Sequence, residues 1–235
     1  MGGSQKIICF DYYGTLVKLD SPFEQIKKLM KEYVENNLAE IDFDKFYAKF
    51  SRNRAVLASG QNFLRGIDLL VESLVKTCTF YKVPCFKKSF IPFVEKLFTM
   101  PEAYPDACEA IDSLRKNFIV GVLSNADNYI IERSIKTQGF ELDFVITSED
   151  ARANKPSSEI FLYAMEILGR RPDELYMIGD SQIDDILGAG RLGINTIWIN
   201  RDGELLKEGI SPPSFELDAL DKIPSIFSSR HSATL

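Results

Sequence analysis

The sequence predicts an α/β protein, a parallel sheet with helices on both faces, carrying an inserted all-helical domain. Beyond residue 100, short apolar runs alternate with helix-like runs of 8–14 residues, which is the pattern of βαβ units. Before residue 100, a single strand-like run is followed by a long stretch with helical spacing only. The apolar runs are nearly continuous, which indicates strands that are buried on both faces.

The first strand is predicted at residues 6–11 (KIICFD), where it ends at Asp11, and Gly14 marks the turn that follows. No strand pattern occurs between residues 18 and 99, and we assign this stretch to the inserted helical domain. The remaining segments, 1–17 and 100–235, form the predicted sheet domain. Within the insertion, helices are expected at 43–57, 63–80 and 87–99.

The first helix of the insertion is expected to begin with a capping box. Ser21 is the predicted N-cap, Pro22 suits the first helical position, and Glu24 is placed to complete the box. Apolar residues at helical spacing then indicate one buried face, made of Phe23, Ile26, Met30 and Tyr33.

The second half of the chain supplies the rest of the sheet. Each predicted strand there is preceded or followed by a helix, so the connections favour parallel pairing. The predicted strands are 118–124, 143–147, 175–180 and 194–199. The predicted helices are 105–116, 127–138, 157–168 and 184–192.

Composition excludes several classes of function. With 28 basic and 34 acidic residues the formal net charge is −6, which argues against nucleic acid and anionic membranes as partners. The one histidine, His231, excludes catalytic Ser-His-Asp and Cys-His sites and metal sites with several histidines. The polar start MGGSQK, the absence of CxxC pairs and the lack of an apolar run of roughly 18 residues lead us to expect a cytoplasmic protein with reduced thiols.

Polar residues occur where the predicted strands end. Asp11 follows the first strand, Ser124 and Asn125 follow the second, Lys155 lies in a loop after the third, and Asp180 ends the fourth. Ligands of open parallel sheets bind at the carboxyl ends of the strands. We therefore expect these side chains to meet in one site.

Each residue type suits a step of group-transfer chemistry. Asp11 can act as a nucleophile that forms a covalent intermediate. Asp180, with Asp184 or Asp185, offers the hard oxygen ligands that Mg²⁺ prefers. Lys155 supplies a fixed positive charge, and backbone N–H groups of the turn after Asp11 can bind an anion.

Together these motifs resemble the haloacid dehalogenase superfamily, in the branch with a helical cap after the first strand. The resemblance covers nearly the whole chain. It implies a Rossmann-like catalytic core in residues 1–17 and 100–235, a helical cap domain in residues 18–99, and a covalent aspartyl-enzyme intermediate. Its four motifs are matched by Asp11-Tyr12-Tyr13-Gly14-Thr15-Leu16, by Ser124-Asn125, by Lys155-Pro156 with Ser158 to Phe161, and by Gly179-Asp180-Ser181 continuing to Asp185 and Ala189.

One position of the first motif departs from the phosphatases of this superfamily. They carry a second aspartate two residues after the nucleophile, where this chain has Tyr13. The 2-haloacid dehalogenases of the superfamily have tyrosine there and need no metal. Against that, this chain keeps Asp180 in the fourth motif and Phe161 in the third, as many phosphatases do.

These observations favour a Mg²⁺-dependent phosphohydrolase acting on a small phosphorylated metabolite. A metal-independent 2-haloacid dehalogenase stays open as an alternative, as does a weakened site that only binds ligands or partners. The preferred reading requires the carboxyl groups of Asp11 and Asp180 to lie within about 8 Å, since both must reach one Mg²⁺ ion.

The resemblance also implies roles for individual residues. Asp11, Asp180 and the Tyr13 carbonyl are the expected metal ligands, with Asp185 holding a metal-bound water or orienting Lys155. Thr15, Ser124 and Asn125 complete the expected catalytic set. Arg52 and Arg54, with Arg65 as a further candidate, are expected to bind the small anionic substrate from the cap, which should close over the site. A monomer or a homodimer is expected.

Overall fold

The computed structural model describes residues 5–19, 21–60 and 62–228, so His231 lies outside the described residues. The chain forms two compact units. The sheet unit contains the chain up to Lys18, the segment Glu102–Asn125 and the chain from Gln138 onward. The helical unit contains Leu19–Pro101 and Ala126–Thr137.

Helices make up all the regular structure described between Leu19 and Pro101, as expected from the absence of strand patterns there. No helix in the described part of the chain has the length and apolar character needed to cross a membrane. In chain order the helices are α1 (Pro22–Asn37), α2 (Phe43–Ala58), α3 (Gly66–Tyr81), α4 (Lys87–Thr99), α5 (Ala107–Arg115), α6 (Asn128–Gln138), α7 (Ser148–Ala151), α8 (Ser158–Leu168), α9 (Gly188–Gly190) and α10 (Ile223–Ser228).

The sheet has six strands, all parallel, in the order β3-β2-β1-β4-β5-β6. Helices cover both of its faces, so the predicted Rossmann-like α/β class is confirmed. The strands are β1 (Ile7–Phe10), β2 (Ile119–Ser124), β3 (Phe144–Thr147), β4 (Leu175–Gly179), β5 (Asn195–Ile199) and β6 (Phe215–Leu217).

Strand β1 lies at the centre of the sheet and is buried over its whole length. Phe10, its last residue, is in register with Val122 of β2 on one side and with Ile178 of β4 on the other. The chain continues from β1 to β2 and β3 on one side and returns to β4 on the other. Asp11 therefore follows β1 at the topological switch point, where α/β sheets bind ligands.

The sixth strand was not predicted. Strand β6 is only three residues long, and its residues are not fully buried. It pairs with β5 at the edge of the sheet. Because its residues are not fully buried, β6 lacks the continuous apolar run that identifies the central strands. Local sequence carries little signal for so short an edge strand, because its pairing depends on β5.

The start of the helical unit differs from the expected capping box. Helix α1 does begin at Pro22, but Ser21 has a left-handed backbone (φ 42°) and its side chain makes no capping hydrogen bond. The buried face consists of Ile26, Met30 and Val34 at helical spacing. Phe23 is 44 % exposed, so its assignment to the buried face was wrong.

The segment after β4 is wound more widely than an α-helix. Residues Gln182–Leu187 form a π-helix that leads into α9. The Ile186 N–H donates to the carbonyl of Ser181, which gives the i→i+5 spacing of this helix type. Such turns occur often at functional sites, and this one carries Asp184 and Asp185.

Candidate active site

Three neighbouring strands present polar side chains at the same edge of the sheet. Asp11 follows β1, Ser124 is the last residue of β2, and Asp180 follows β4. Because β1 lies between β2 and β4, Asp11 is flanked by the other two. The hydroxyl of Ser124 donates to Oδ1 of Asp11 over 2.7 Å.

Lys155 lies at the centre of a buried ion-pair network. Its ammonium Nζ is 2.8 Å from Oδ1 of Asp11 and 2.6 Å from Oδ1 of Asp185. The Lys155 side chain is only 2 % exposed and that of Asp185 is fully buried. A buried lysine is stable only when paired, and here two carboxylates compensate its charge.

Asn125 fixes the backbone that carries Lys155. Its side-chain oxygen accepts from the Lys155 N–H over 2.7 Å, and its side-chain nitrogen donates to the Lys155 carbonyl over 3.0 Å. The amide thus binds both backbone groups of one residue. Asn125 therefore contacts Lys155 rather than the Asp11 carboxylate in this structure.

Asp185 is held from two directions. Besides the bond to Lys155, its Oδ2 accepts from the Ser181 N–H over 3.0 Å. A side chain at Gly179 would collide with this carboxylate, because a Cβ there would lie 2.0 Å from Oδ2. The neighbouring Asp184 is only half-buried, and its N–H donates to the Ser181 hydroxyl. Asp185, and not Asp184, contacts Lys155.

Thr15 binds Asp180 through its hydroxyl. The hydroxyl donates to Oδ1 of Asp180 over 2.7 Å and accepts from the Asp180 N–H over 3.0 Å. The first turn can approach so closely because Gly14 has no side chain: a Cβ there would lie 2.6 Å from Oδ2 of Asp180. Gly14 also has φ +94°, a conformation that only glycine adopts readily.

The carboxylates of Asp11, Asp180 and Asp185 form one cluster. Each offers an oxygen that lies within 4.8 Å of an oxygen of the other two, which is inside the limit of about 8 Å set for Asp11 and Asp180 above. Ligand oxygens on opposite sides of one Mg²⁺ are about 4.2 Å apart. The donor set and the spacing therefore fit a magnesium ion.

Burial and neighbouring charges shift the pKa values of Asp180, Asp185 and Lys155. Burial, followed by the charge of Asp11, raises the pKa of Asp180 to about 6. Burial is also the main cause that raises the pKa of Asp185, while Lys155 opposes it. Burial alone would lower the pKa of Lys155, but Asp11 and Asp185 outweigh it and the pKa is raised. Lys155 is thus a permanent cation at neutral pH.

The remaining predicted residues have other contacts. Tyr13 is half-buried in the first turn, and its ring packs edge-on against the ring of Tyr12 at 4.9 Å. In the helical unit, Arg52 is exposed, and the guanidinium of Arg54 lies 4.1 Å from the centre of the Phe23 ring. Arg65 forms an ion pair with Asp68.

The sequence analysis assigned no individual role to two residues of this site. Trp198 donates its indole N–H to the carbonyl of Asp180 over 3.0 Å. Its signal in the sequence is a single tryptophan near the end of a predicted strand. Gly179 makes room for Asp185, and its signal is the Gly-Asp pair of the fourth motif.

Comparison with known proteins gives the family and the fold of this chain. The family model of haloacid dehalogenase-like hydrolases matches residues 5–193. A 2-haloacid dehalogenase from Pseudomonas syringae pv. Tomato DC3000 has a similar solved structure, with a TM-score of 0.75, 19 % identity and coverage of 96 % of this chain and 99 % of that one. This second likeness concerns the fold alone.

Two curated relatives differ in their chemistry. The (S)-2-haloacid dehalogenase 4A of Burkholderia cepacia is 31 % identical over 124 residues, 52 % of this chain and 53 % of the relative. The chain therefore matches about half the length of that protein. The glyceraldehyde 3-phosphate phosphatase of Pyrococcus furiosus is 27 % identical over 198 residues, 82 % of this chain and 80 % of the relative. The family match over most of the chain shows that this protein belongs to the haloacid dehalogenase-like hydrolases.

Proposed function

We propose that this hydrolase is a Mg²⁺-dependent phosphohydrolase that acts on a small phosphorylated metabolite through a covalent aspartyl phosphate. The observation that carries the proposal is the cluster of Asp11, Asp180 and Asp185, whose oxygens lie within 4.8 Å of one another. When all three carboxylates are ionised, the Lys155 ammonium compensates one of their negative charges and two negative charges remain. A single divalent cation balances them.

The ligands in this proposal are Asp11, Asp180 and the backbone carbonyl of Tyr13. Asp185 is better placed to orient Lys155, because both of its oxygens already accept hydrogen bonds from Lys155 and Ser181. When bound, Mg²⁺ would neutralise the charge between the nucleophile and the phosphoryl oxygens.

Asp11, Ser124 and Lys155 have separate roles in the proposed reaction. Ser124 and Lys155 both donate to Oδ1 of Asp11, which orients the carboxylate so that Oδ2 attacks phosphorus. The new Asp–O–P bond forms as the bond from phosphorus to the leaving oxygen breaks. Lys155 stabilises the charge that develops on the phosphoryl oxygens. Water then attacks phosphorus as the bond from phosphorus to Asp11 breaks. Both protons of the water leave with the released phosphate, and the Asp11 carboxylate is restored.

Tyr13 restricts the substrate to good leaving groups. At this position a carboxylic acid would protonate the departing oxygen, and a phenol with an ordinary pKa near 10 is a poor general acid–base at neutral pH. Acyl phosphates and phosphoanhydrides release weak bases that need no proton. We therefore expect acyl phosphates to be better substrates than alkyl phosphates.

A screen with three substrates tests the proposal. Acetyl phosphate, p-nitrophenyl phosphate and (S)-2-chloropropionate are each incubated with Mg²⁺ and with EDTA, and phosphate or chloride release is measured. We expect phosphate release that requires Mg²⁺. Chloride release that is unaffected by EDTA would overturn the proposal. No turnover of any substrate by the wild type or by Tyr13→Asp would instead favour a binding module.

The covalent step has its own test. Asp11→Asn removes the attacking oxygen and keeps the size of the side chain, so turnover should fall by at least roughly 10³-fold. Circular dichroism and the melting temperature should show that the variant is folded. Substantial activity in a folded Asp11→Asn variant would refute the covalent mechanism.

A 2-haloacid dehalogenase is the second candidate, and Tyr13 is the observation that favours it. In that reaction Asp11 would attack carbon and expel halide, which needs neither proton nor metal. The acidic cluster argues against this chemistry, because a haloacid is itself an anion and releases another one. The two uncompensated negative charges of the cluster would repel both the haloacid and the released halide.

The helical unit is the proposed cap, and it would select the substrate. Arg52 and Arg54 are the candidates for binding the anionic substrate in this proposal. Replacing each by methionine tests it, because an unbranched apolar stem is kept while the charge is lost. A rise in KM with unchanged kcat is expected for a binding residue, and wild-type kinetics would exclude the residue.

A further inference from the structure

Trp198 is the only tryptophan in the sequence, and it lies beside the acidic cluster without being part of it. It is buried near the end of β5, where it is in register with Gly179 of β4. Its indole N–H donates to the backbone carbonyl of Asp180 over 3.0 Å. A buried indole N–H needs a partner, and here that partner is the backbone of a candidate metal ligand.

The peptide group between Asp180 and Ser181 is held at both ends. The indole of Trp198 binds its carbonyl, and the carboxylate of Asp185 binds its N–H over 3.0 Å. The preceding N–H, of Asp180 itself, donates to the hydroxyl of Thr15. These three contacts come from separate parts of the chain and together fix the backbone from which the Asp180 carboxylate projects.

We propose that Trp198 is a positioning residue that orients the Asp180 backbone, and through it the Asp180 carboxylate, for binding a divalent cation. The inference rests on the proposed function, because it assigns Asp180 to the metal. Mg²⁺ demands near-ideal octahedral geometry, so its affinity depends on how well each ligand is oriented beforehand. Partners that hydrogen-bond to the ligating side chains themselves typically change metal affinity by 10- to 100-fold. Trp198 binds the Asp180 backbone instead, so we expect a smaller effect.

The first experiment uses the unaltered protein. A ¹H–¹⁵N spectrum of the full chain contains one indole signal, from Trp198, which is followed during titration with MgCl₂. We expect the signal to shift and to saturate at the dissociation constant that calorimetry gives for the same protein. In Asp180→Asn the shift should disappear. An indole signal that stays fixed while calorimetry reports binding would overturn the inference.

The second experiment removes the hydrogen bond. Trp198→Phe keeps an aromatic ring and loses the N–H donor. Tyr176→Phe is the matched control, because Tyr176 is a buried aromatic of the adjacent strand β4 whose hydroxyl accepts from Lys6 at the other end of the sheet. We expect Trp198→Phe to weaken Mg²⁺ binding by roughly 3- to 10-fold, as for the loss of one hydrogen bond, and Tyr176→Phe to leave it unchanged.

Kinetics separate positioning from general destabilisation. If Trp198 acts through Asp180, the Mg²⁺ concentration at half-maximal rate rises in Trp198→Phe, while kcat returns towards the wild-type value at saturating Mg²⁺. A loss of kcat that excess Mg²⁺ does not restore, or equal effects of both variants, would contradict the inference. If the wild type itself binds no Mg²⁺ in calorimetry, the proposed function fails. If it binds Mg²⁺ and Trp198→Phe binds it equally well, only the inference fails.

Discussion

Tyr13 is the residue that distinguishes the two candidate reactions. It occupies the position two residues after Asp11, where a carboxylic acid would transfer a proton to the leaving group. Positioned acid–base catalysis contributes about 10²–10⁴-fold to a rate. In the step that forms the aspartyl phosphate, the missing acid should therefore matter only for substrates whose leaving oxygen is a strong base.

Tyr13→Asp should supply that acid. We expect the rate with an alkyl phosphate to rise by about 10²-fold, and the rate with acetyl phosphate to change little because its leaving group needs no proton. The single-turnover rate of leaving-group release, which precedes hydrolysis of the aspartyl phosphate, measures the ratio for both substrates. Tyr13→Phe is the control and should behave like the wild type. Equal gains on both substrates would show that the aspartate does not act as a general acid.

Lys155 carries the buried charge on which the site depends. In Lys155→Met, Asp11 and Asp185 lose their common cation, and breaking such a buried pair costs about 3–5 kcal/mol of unfolding free energy. Urea unfolding at pH 7.5 measures the loss. Lys31→Met is the matched control, because Lys31 and Glu35 form an exposed pair at 3.7 Å and such pairs contribute little. Similar losses in the two variants would contradict the assigned role of Lys155.

At the scale of elements, the turn after β1 depends on close backbone approach. Gly14 has φ +94°, and a Cβ there would lie 2.6 Å from Oδ2 of Asp180. Gly139 has a similar φ of +72° but no atom within 4 Å of its Cβ position. An alanine at either glycine would strain the backbone, but only an alanine at Gly14 would also collide with Asp180. Comparing the two variants therefore separates the free-energy cost of the backbone conformation from that of the collision.

Gly139→Ala should lose only about 1–2 kcal/mol of unfolding free energy, which is the cost of the left-handed backbone. Gly14→Ala should lose more, and it alone should weaken Mg²⁺ binding, because the new methyl group displaces the Asp180 carboxylate. Chemical denaturation and calorimetry give the two quantities. Unchanged Mg²⁺ affinity in a folded Gly14→Ala variant would show that the turn does not position Asp180.

Elements differ in how well the sequence predicts them. Strand β1 was predictable because its four residues are buried and apolar. The π-helix Gln182–Leu187 was predicted only as a helix from 184, since its wider winding depends on bonds to Ser181. Phe23 has the spacing of a buried residue, yet it is exposed and packs against Arg54. Helical spacing alone does not say how wide the buried face is.

At the scale of the whole molecule, the acidic cluster couples folding to pH. The pKa of Asp180 is raised to about 6, whereas an unfolded aspartate has a pKa near 3.9. The folded state therefore binds this proton more tightly than the unfolded state. The stability that it contributes is present at low pH and is lost as the pH rises from about 4 to about 6.

Mg²⁺ should reverse this loss, because it binds the ionised carboxylates. Free Mg²⁺ at 100 times its Kd stabilises by about 2.7 kcal/mol, or roughly 5–10 °C in melting temperature for this chain length. We expect that gain at pH 7.5 and a much smaller one at pH 5. Thermal melts with and without Mg²⁺ measure it, with Asp180→Asn as the control. A gain that is independent of pH, or that persists in Asp180→Asn, would place the ion elsewhere.

The α/β class, the family motifs and the polar residues that follow the first, second and fourth strands could be predicted from the sequence. These are local properties, because apolar runs and residues next to them can be read without knowing which strands pair. The strand order that places Asp11 between Ser124 and Asp180 emerged from the folded sheet. The folded chain also showed that Asp185 rather than Asp184 contacts Lys155, that Asn125 binds the Lys155 backbone, and that Trp198 donates to Asp180. Such contacts join residues that are distant along the chain, and each depends on a specific register and backbone approach that local sequence does not encode.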